Sequence, residues 1–126
     1  CEVRYYETSF SITDALINVP SIIEEFTPSI IVCATDNIAI GALKAAYLRG
    51  LKIPEDLSIT GFGGYEVTEM IHPGITTAKF YYKEAGQMAA KSIVKLVNGE
   101  ELPKLSLSKY KIIERESVDN RLLHGL

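Results

Sequence analysis

The most constraining stretch is Ile30-Ile31-Val32-Cys33-Ala34, an unbroken apolar run set between Pro28-Ser29 and Thr35-Asp36. Apolar residues in succession, rather than in alternation, are expected of a strand buried on both faces, the situation inside a parallel sheet. Thr35-Asp36 then offers a helix N-cap. Ile38 to Leu48 is rich in helix formers, and Gly50 stands where a C′ glycine belongs. Pro54-Glu55-Asp56 marks a turn, and Leu57-Ser58-Ile59-Thr60-Gly61-Phe62 reads as a second strand. Strand, helix and strand at this spacing make one βαβ unit, with a right-handed crossover.

The flanking segments extend the same pattern. Ile12, Ala15, Leu16, Val19, Ile22, Ile23 and Phe26 recur at helical spacing between Ser11 and Phe26. Pro20 interrupts them, and Ser21-Ile22-Ile23-Glu24 has the form of a capping box, so the segment is either one kinked helix or two short ones. Val3 to Tyr6 reads as a strand leading in. Downstream, Tyr65 to Ile71 predicts a short helix stopped by His72-Pro73-Gly74. Ile75 to Phe80 is β-prone. Lys83 to Val97 predicts an amphipathic helix with Ala85, Met88, Ala89, Ile93, Leu96 and Val97 on one face, ended by Asn98-Gly99. Leu105 to Ile113 reads as a strand or hairpin arm. The expected class is α/β, an open parallel sheet with flanking helices.

Composition narrows the function classes. At 126 residues, 47% of them hydrophobic, the chain can build one core and is not a disordered tail. The longest strongly apolar run is strand-sized, so no membrane span is expected. Cys1-Glu2-Val3-Arg4 has no signal-peptide character, and an opening Cys rather than Met suggests a piece of something longer. The net charge is −3, and the densest basic cluster, Lys104-Lys109-Lys111-Arg115, alternates with apolar residues like a solvated strand face. DNA binding by this chain alone is not expected. The two cysteines, Cys1 and Cys33, form no disulfide framework. Cys33 reads as a small buried hydrophobe, and the reduced cytoplasm fits better than an oxidising compartment.

Catalytic chemistry has no foothold. His72 and His124 lack neighbours at metal-ligand spacing, no Ser stands in a nucleophile elbow, and Glu24-Glu25 and Glu100-Glu101 read as solvated surface. Neither a cofactor nor a metal is expected. Gly61-Phe62-Gly63-Gly64 is the one glycine-rich loop. It lacks the third glycine of the dinucleotide fingerprint, Glu66 standing in its place, and Gly-Lys-Ser/Thr is absent. The glycines either supply positive φ at a sharp strand exit or allow close approach to a ligand. Geometry favours the ligand: Thr35-Asp36 and Gly61 to Tyr65 end successive parallel strands, and open α/β sheets bind ligands beyond those ends. A hydroxyl, a carboxylate, bare backbone and an aromatic together suit a sugar or polyol.

Pro28-Ser29-Ile30-Ile31-Val32-Cys33-Ala34-Thr35-Asp36-Asn37-Ile38-Ala39-Ile40-Gly41-Ala42 resembles the "PTAI…ANDxxAxGA" block of LacI/GalR-type transcription regulators. Gly50 to Phe62 is similar to their "GxxIPEDxSVxGF", Pro73-Gly74-Ile75-Thr76-Thr77 to "PxLTT", and Glu114-Arg115-Glu116-Ser117 to the terminal "xxRxS". Gly63-Gly64-Tyr65-Glu66 in place of the commoner "DD" looks most like regulators of sucrose operons.

The resemblance implies a two-lobed, periplasmic-binding-protein-like effector domain, of which this chain matches the later half, mostly the C-terminal lobe. Residues 1–78 would form that lobe. Residues 79–126 would hold a crossover, a helix and a strand belonging to or returning from the other lobe. The apolar face of that helix is then expected to fold back onto the Ile30–Phe62 sheet, to pack against another chain, or to meet residues outside this sequence. Packing against another chain is favoured because an exchanged element is a low-cost route to a dimer. Operator DNA would be read only by a helix-turn-helix that these residues do not contain.

The implied effector-binding set is Phe10, matching an aromatic that stacks on the sugar, together with Thr35 and Asp36 at the "ND" pair, Gly63, Tyr65, and Phe80 at the crossover. Thr35 replaces an amide with a hydroxyl, and Gly63 replaces a sugar-gripping carboxylate. Dimerisation is expected through Ile40, Leu43 and Tyr47 on one helix and Met70 and Ile71 on the next. The implied function is sugar sensing in a cytoplasmic transcription regulator, with a fragment of an extracytoplasmic sugar-binding protein as the alternative.

Overall fold

A computed structural model describes residues 1–119. His124, read above as lacking metal-ligand neighbours, lies outside the described residues. The elements in order are α1 (Ile12–Phe26), β1 (Ile30–Val32), α2 (Asp36–Leu48), β2 (Ser58–Gly63), α3 (Val67–Met70), β3 (Thr76–Phe80), α4 (Tyr82–Val97) and β4 (Tyr110–Ile113). They form a sheet of order β1-β2-β3-β4. β1–β2 and β2–β3 are parallel, whereas β3–β4 is antiparallel. The sheet is therefore mixed, and its parallel part carries the βαβ unit. The strand expected over Leu105 to Ile113 is confined to Tyr110–Ile113 and hydrogen-bonds to β3 within this same sheet.

Local signals explain the helices. Ser11 caps α1, its hydroxyl accepting from the Thr13 and Asp14 N–H groups. Pro20 lies inside one continuous helix, so the Ser21–Glu24 capping box starts nothing. α2 is capped by the Thr35 hydroxyl, which accepts from Ile38 N–H at 3.3 Å. Its other end is a Schellman motif: Leu51 N–H donates to the Ala46 carbonyl at 3.1 Å and Gly50 N–H to the Tyr47 carbonyl at 2.9 Å, with Gly50 at φ 72°. The short helix after Gly64 covers only Val67–Met70. Val3 to Tyr6 forms no strand; the segment is exposed and has no ladder partner among the described residues.

α1 and α2 pack side by side at Gly41, where an added Cβ would fall 2.5 Å from the Ile12 carbonyl oxygen and 2.6 Å from Ala15 Cβ. Farther along, Arg49 pairs with Glu24. The contacts advance together along both helices, so α1 and α2 run parallel. The core joins Val19 and Ile23 of α1, Ala39, Ala42, Leu43 and Ala46 of α2, and Leu57, Ile59 and Ile75 from the sheet side. Leu43 is buried in this core and so is not available to a dimer surface. Ile40 and Ile71 are partly buried against the same core. Tyr47 is exposed, its hydroxyl donating to the His72 carbonyl at 3.0 Å, and Met70 is 75% exposed.

The two faces of the sheet differ. By register, Ile31, Ile59, Gly61 and Thr77 share the face under α2. Ile30, Val32, Phe62, Ala78, Tyr110 and Ile112 share the other face. There Val32 is 77% exposed, and Ile30, Phe62, Tyr110 and Ile112 are exposed as well. The expectation that β1 is buried on both faces is thus corrected: helices cover only one face among the described residues.

α4 stands apart. None of its residues is buried, and Ile93 is 61% exposed. A shallow groove separates it from the following segment, with Met88, Leu102 and Pro103 among its lining residues. The chain then returns through β4 to a tight staple. The Ser117 hydroxyl donates to the Ile59 carbonyl at 2.6 Å and accepts from Thr76 N–H at 2.9 Å, tying the starts of β2 and β3 together.

Candidate binding site at the carboxyl edge of the sheet

Parallel strands β1, β2 and β3 end at one edge, and α2 begins there. Because α1 runs parallel to α2, its N-terminus points to the same edge, carrying Phe10 just ahead of the Ser11 cap. Phe10 is 68% exposed. Thr35 sits at the end of the β1 segment; its oxygen serves as the α2 cap, leaving the hydroxyl proton to donate elsewhere.

Asp36 is fully buried. One oxygen accepts from the Thr77 hydroxyl and the other from Tyr65 N–H, both at 2.6 Å. Gly61 makes room for it, since a Cβ there would lie 2.2 Å from Asp36 Oδ1. Asp36 also lies in the first turn of α2, where the helix dipole favours a negative charge. The carboxylate is thus an internal brace joining α2, β3 and the loop after β2. That corrects its assignment as an effector ligand: both oxygens are already engaged, away from solvent.

The aromatic groups converge. Gly63, at φ 134°, leaves a space bounded by the Tyr65 ring and the Tyr82 hydroxyl, 3.0 and 3.3 Å from where its Cβ would lie. Gly64, at φ 76°, brings the backbone against Lys79, whose Cα would be 2.5 Å from an added Cβ. Both glycine roles considered from sequence, positive φ and close approach, therefore occur together. Phe80 meets Phe62 edge-on at a centroid distance of 4.8 Å and Tyr82 at 6.0 Å. Burial, followed by neighbouring Tyr65 and Asp36, raises the pKa of the Tyr82 phenol, so it stays a neutral hydrogen-bonding hydroxyl.

Tyr82 and Phe62 are the residues that sequence reasoning missed. Their signal was adjacency: Phe62 lies within the glycine loop, and Tyr81-Tyr82 directly follows Phe80. Cys33, buried and pushed up to about 12 by that burial and then by Asp36, carries no thiolate chemistry at neutral pH. Among the described residues no group of His, Cys, Asp and Glu could hold a metal ion. No helix among them is long and apolar enough to cross a membrane.

Residues 2–118 match the sequence family described as a periplasmic binding protein-like domain. The chain therefore belongs to the periplasmic binding protein-like domain family. Among similar proteins is the HTH-type transcriptional repressor MelR of Bacillus subtilis, 37% identical over 90 residues, or 71% of this chain and 26% of that protein. The solved LacI family transcriptional regulator from Bifidobacterium animalis subsp. lactis superposes with a TM-score of 0.85 at 28% identity, covering 91% of this chain and 43% of that one. A LacI family regulator from Arthrobacter sp. FB24, solved in complex with lactose, gives 0.76 at 26% identity, with 86% and 42% covered. The chain spans about a quarter of the length of the curated relatives it matches.

Proposed function

We propose that this chain is the later half of the effector-sensing domain of a cytoplasmic, sugar-responsive transcription repressor, and that the sugar binds at the carboxyl edge of the sheet. The observation that carries this reading is the meeting of Gly63, Tyr65 and Tyr82 at the strand ends in a periplasmic binding protein-like chain similar to LacI family regulators. Aromatic faces from Phe10, Tyr65 and Phe80 would pack on the C–H face of a sugar ring, and Thr35 would donate to a ring hydroxyl. Asp36 would act from behind, by holding Tyr65. With glycine at position 63, the site offers a phenol where the resembled pattern has a carboxylate. Together with Gly63-Gly64-Tyr65-Glu66, this favours sucrose or a fructose-related effector.

In this reading residues 1–78 form one lobe, the chain after β3 crosses through α4 toward a second, and β4 returns to the first sheet. Ile40, Tyr47, Met70 and Ile71 would contribute to an isologous homodimer contact. Operator DNA would be bound by a helix-turn-helix outside these residues. Titration calorimetry on the whole regulator tests the sugar: heat with sucrose or fructose is expected. Clear heat with another effector and none with these two would overturn it. Sedimentation of the same protein should give a dimer, and a monomer at high concentration would remove the contact.

A further inference from the structure

The Tyr65 ring is exposed on one side, and among the described residues the ring pairs at this edge, Phe62–Phe80 and Phe80–Tyr82, do not include it. α3, only four residues long, is too short to hold its own geometry. The backbone of Tyr65, by contrast, is tied on both sides. Its N–H donates to Asp36 Oδ2, and its carbonyl accepts from Thr68 Oγ1 at 2.6 Å and from Thr68 N–H at 3.0 Å. Thr68 is fully buried. Its hydroxyl accepts in turn from Arg115 Nη1 at 3.2 Å. The same guanidinium donates to the Ile75 carbonyl at 2.8 Å and reaches Glu69 at 3.4 Å. Arg115 is itself anchored at the backbone, where its N–H donates to Thr76 Oγ1 at 2.9 Å and its carbonyl accepts from that hydroxyl at 3.0 Å.

We infer that Thr68 and Arg115 are positioning residues of the carboxyl-edge site, fixing the Tyr65 ring beside Gly63 through the Tyr65 carbonyl. The inference rests on the effector reading of that site. A planar guanidinium with several fixed donors suits the task better than a mobile ammonium would. The arginine of the "xxRxS" ending thus reaches, through one threonine, a ring far from it in sequence. Pre-arranging that ring removes an ordering cost from sugar binding.

The test is a double-mutant cycle in the whole regulator, with fructose affinity read by calorimetry. Thr68→Val deletes the hydroxyl at similar volume, Thr68→Ser restores it, and Arg115→Met keeps the alkyl chain without the donors. Thr68→Val and Arg115→Met should each weaken fructose binding about 3- to 10-fold, the usual effect of losing one such hydrogen bond. Thr68→Ser should stay within about 2-fold. Once Tyr65→Ala has removed the ring, neither substitution should weaken binding further. An undiminished loss in the Tyr65→Ala background would mark general structural damage and overturn the inference, as would parental affinity in Thr68→Val. A Tyr65→Ala protein that binds the sugar normally, or a parent that gives no heat with either fructose or sucrose, would overturn the effector reading and the inference with it; a parent that responds to sucrose alone is carried through the same cycle with sucrose. If Arg115→Met fails to fold by circular dichroism, the contrast between Thr68→Val and Thr68→Ser decides.

Discussion

α2 and α4 are both well-formed helices, of 13 and 16 residues, yet eight residues of α2 are buried and none of α4 is. α4 has the cleaner amphipathic pattern. α2 is apolar nearly all round, at Ile38, Ala39, Ala42, Leu43, Ala45 and Ala46, and it lies between the sheet and α1. A helix apolar on every side demands neighbours on several sides, and here it has them. A one-sided helix demands a single partner, and among the described residues no element covers that side. The sheet repeats the contrast, one face under α2 and the other carrying exposed Val32 and Phe62. Periodicity reports that a face needs covering; it does not say by what.

Mutations can break or sharpen this contrast. The largest effect is expected on the covered side. Ile59→Ala removes a fully buried side chain and should cost about 2–5 kcal/mol in urea unfolding of the chain. A cost under about 1 kcal/mol would mean that the βαβ core is not the stable part. Thr77→Val comes next. It strips one donor from buried Asp36 and should cost about 1.5–3 kcal/mol, whereas Thr77→Ser should recover most of that in the same titration. Thr35→Ala, which deletes the α2 cap, should lower stability by about 1 kcal/mol and leave the unfolding transition cooperative. The smallest effect belongs to α4, where Ile93→Ala should change the midpoint by less than about 0.5 kcal/mol. Repeating that substitution in the whole protein sharpens the comparison. A cost rising to about 2 kcal/mol there would show that α4 is covered by residues outside this chain.

The βαβ unit was legible because its signals are short-ranged. The run at Ile30, the Thr35 cap, Gly50 and the strand at Ile59 each act within a turn or a ladder, and all occur where expected. Two kinds of feature were not legible. Val3 to Tyr6 has strand-like residues but, among the described residues, no neighbour to pair with, and a strand exists only as a pair. Ile30 and Val32 are apolar, but nothing in their own sequence says which face will be covered.

The candidate site divides the same way. Gly63, Tyr65 and Phe80 could be nominated from the chain, since glycines and aromatics at strand ends mark the edge where parallel sheets bind ligands. By itself, then, the sequence determined the helices, the parallel strands, the edge that would carry a site and the family resemblance. Tertiary structure alone decided that Asp36 is a buried brace, that Leu43 is core, and that the Tyr82 hydroxyl lies beside Gly63 and Tyr65. Asp36 takes its hydrogen bonds from residues 29 and 41 positions away, and whether a carboxylate faces solvent or two buried donors depends on where those distant segments pack. Local propensity acts over a few residues, whereas burial and hydrogen-bond partnership are properties of the assembled fold.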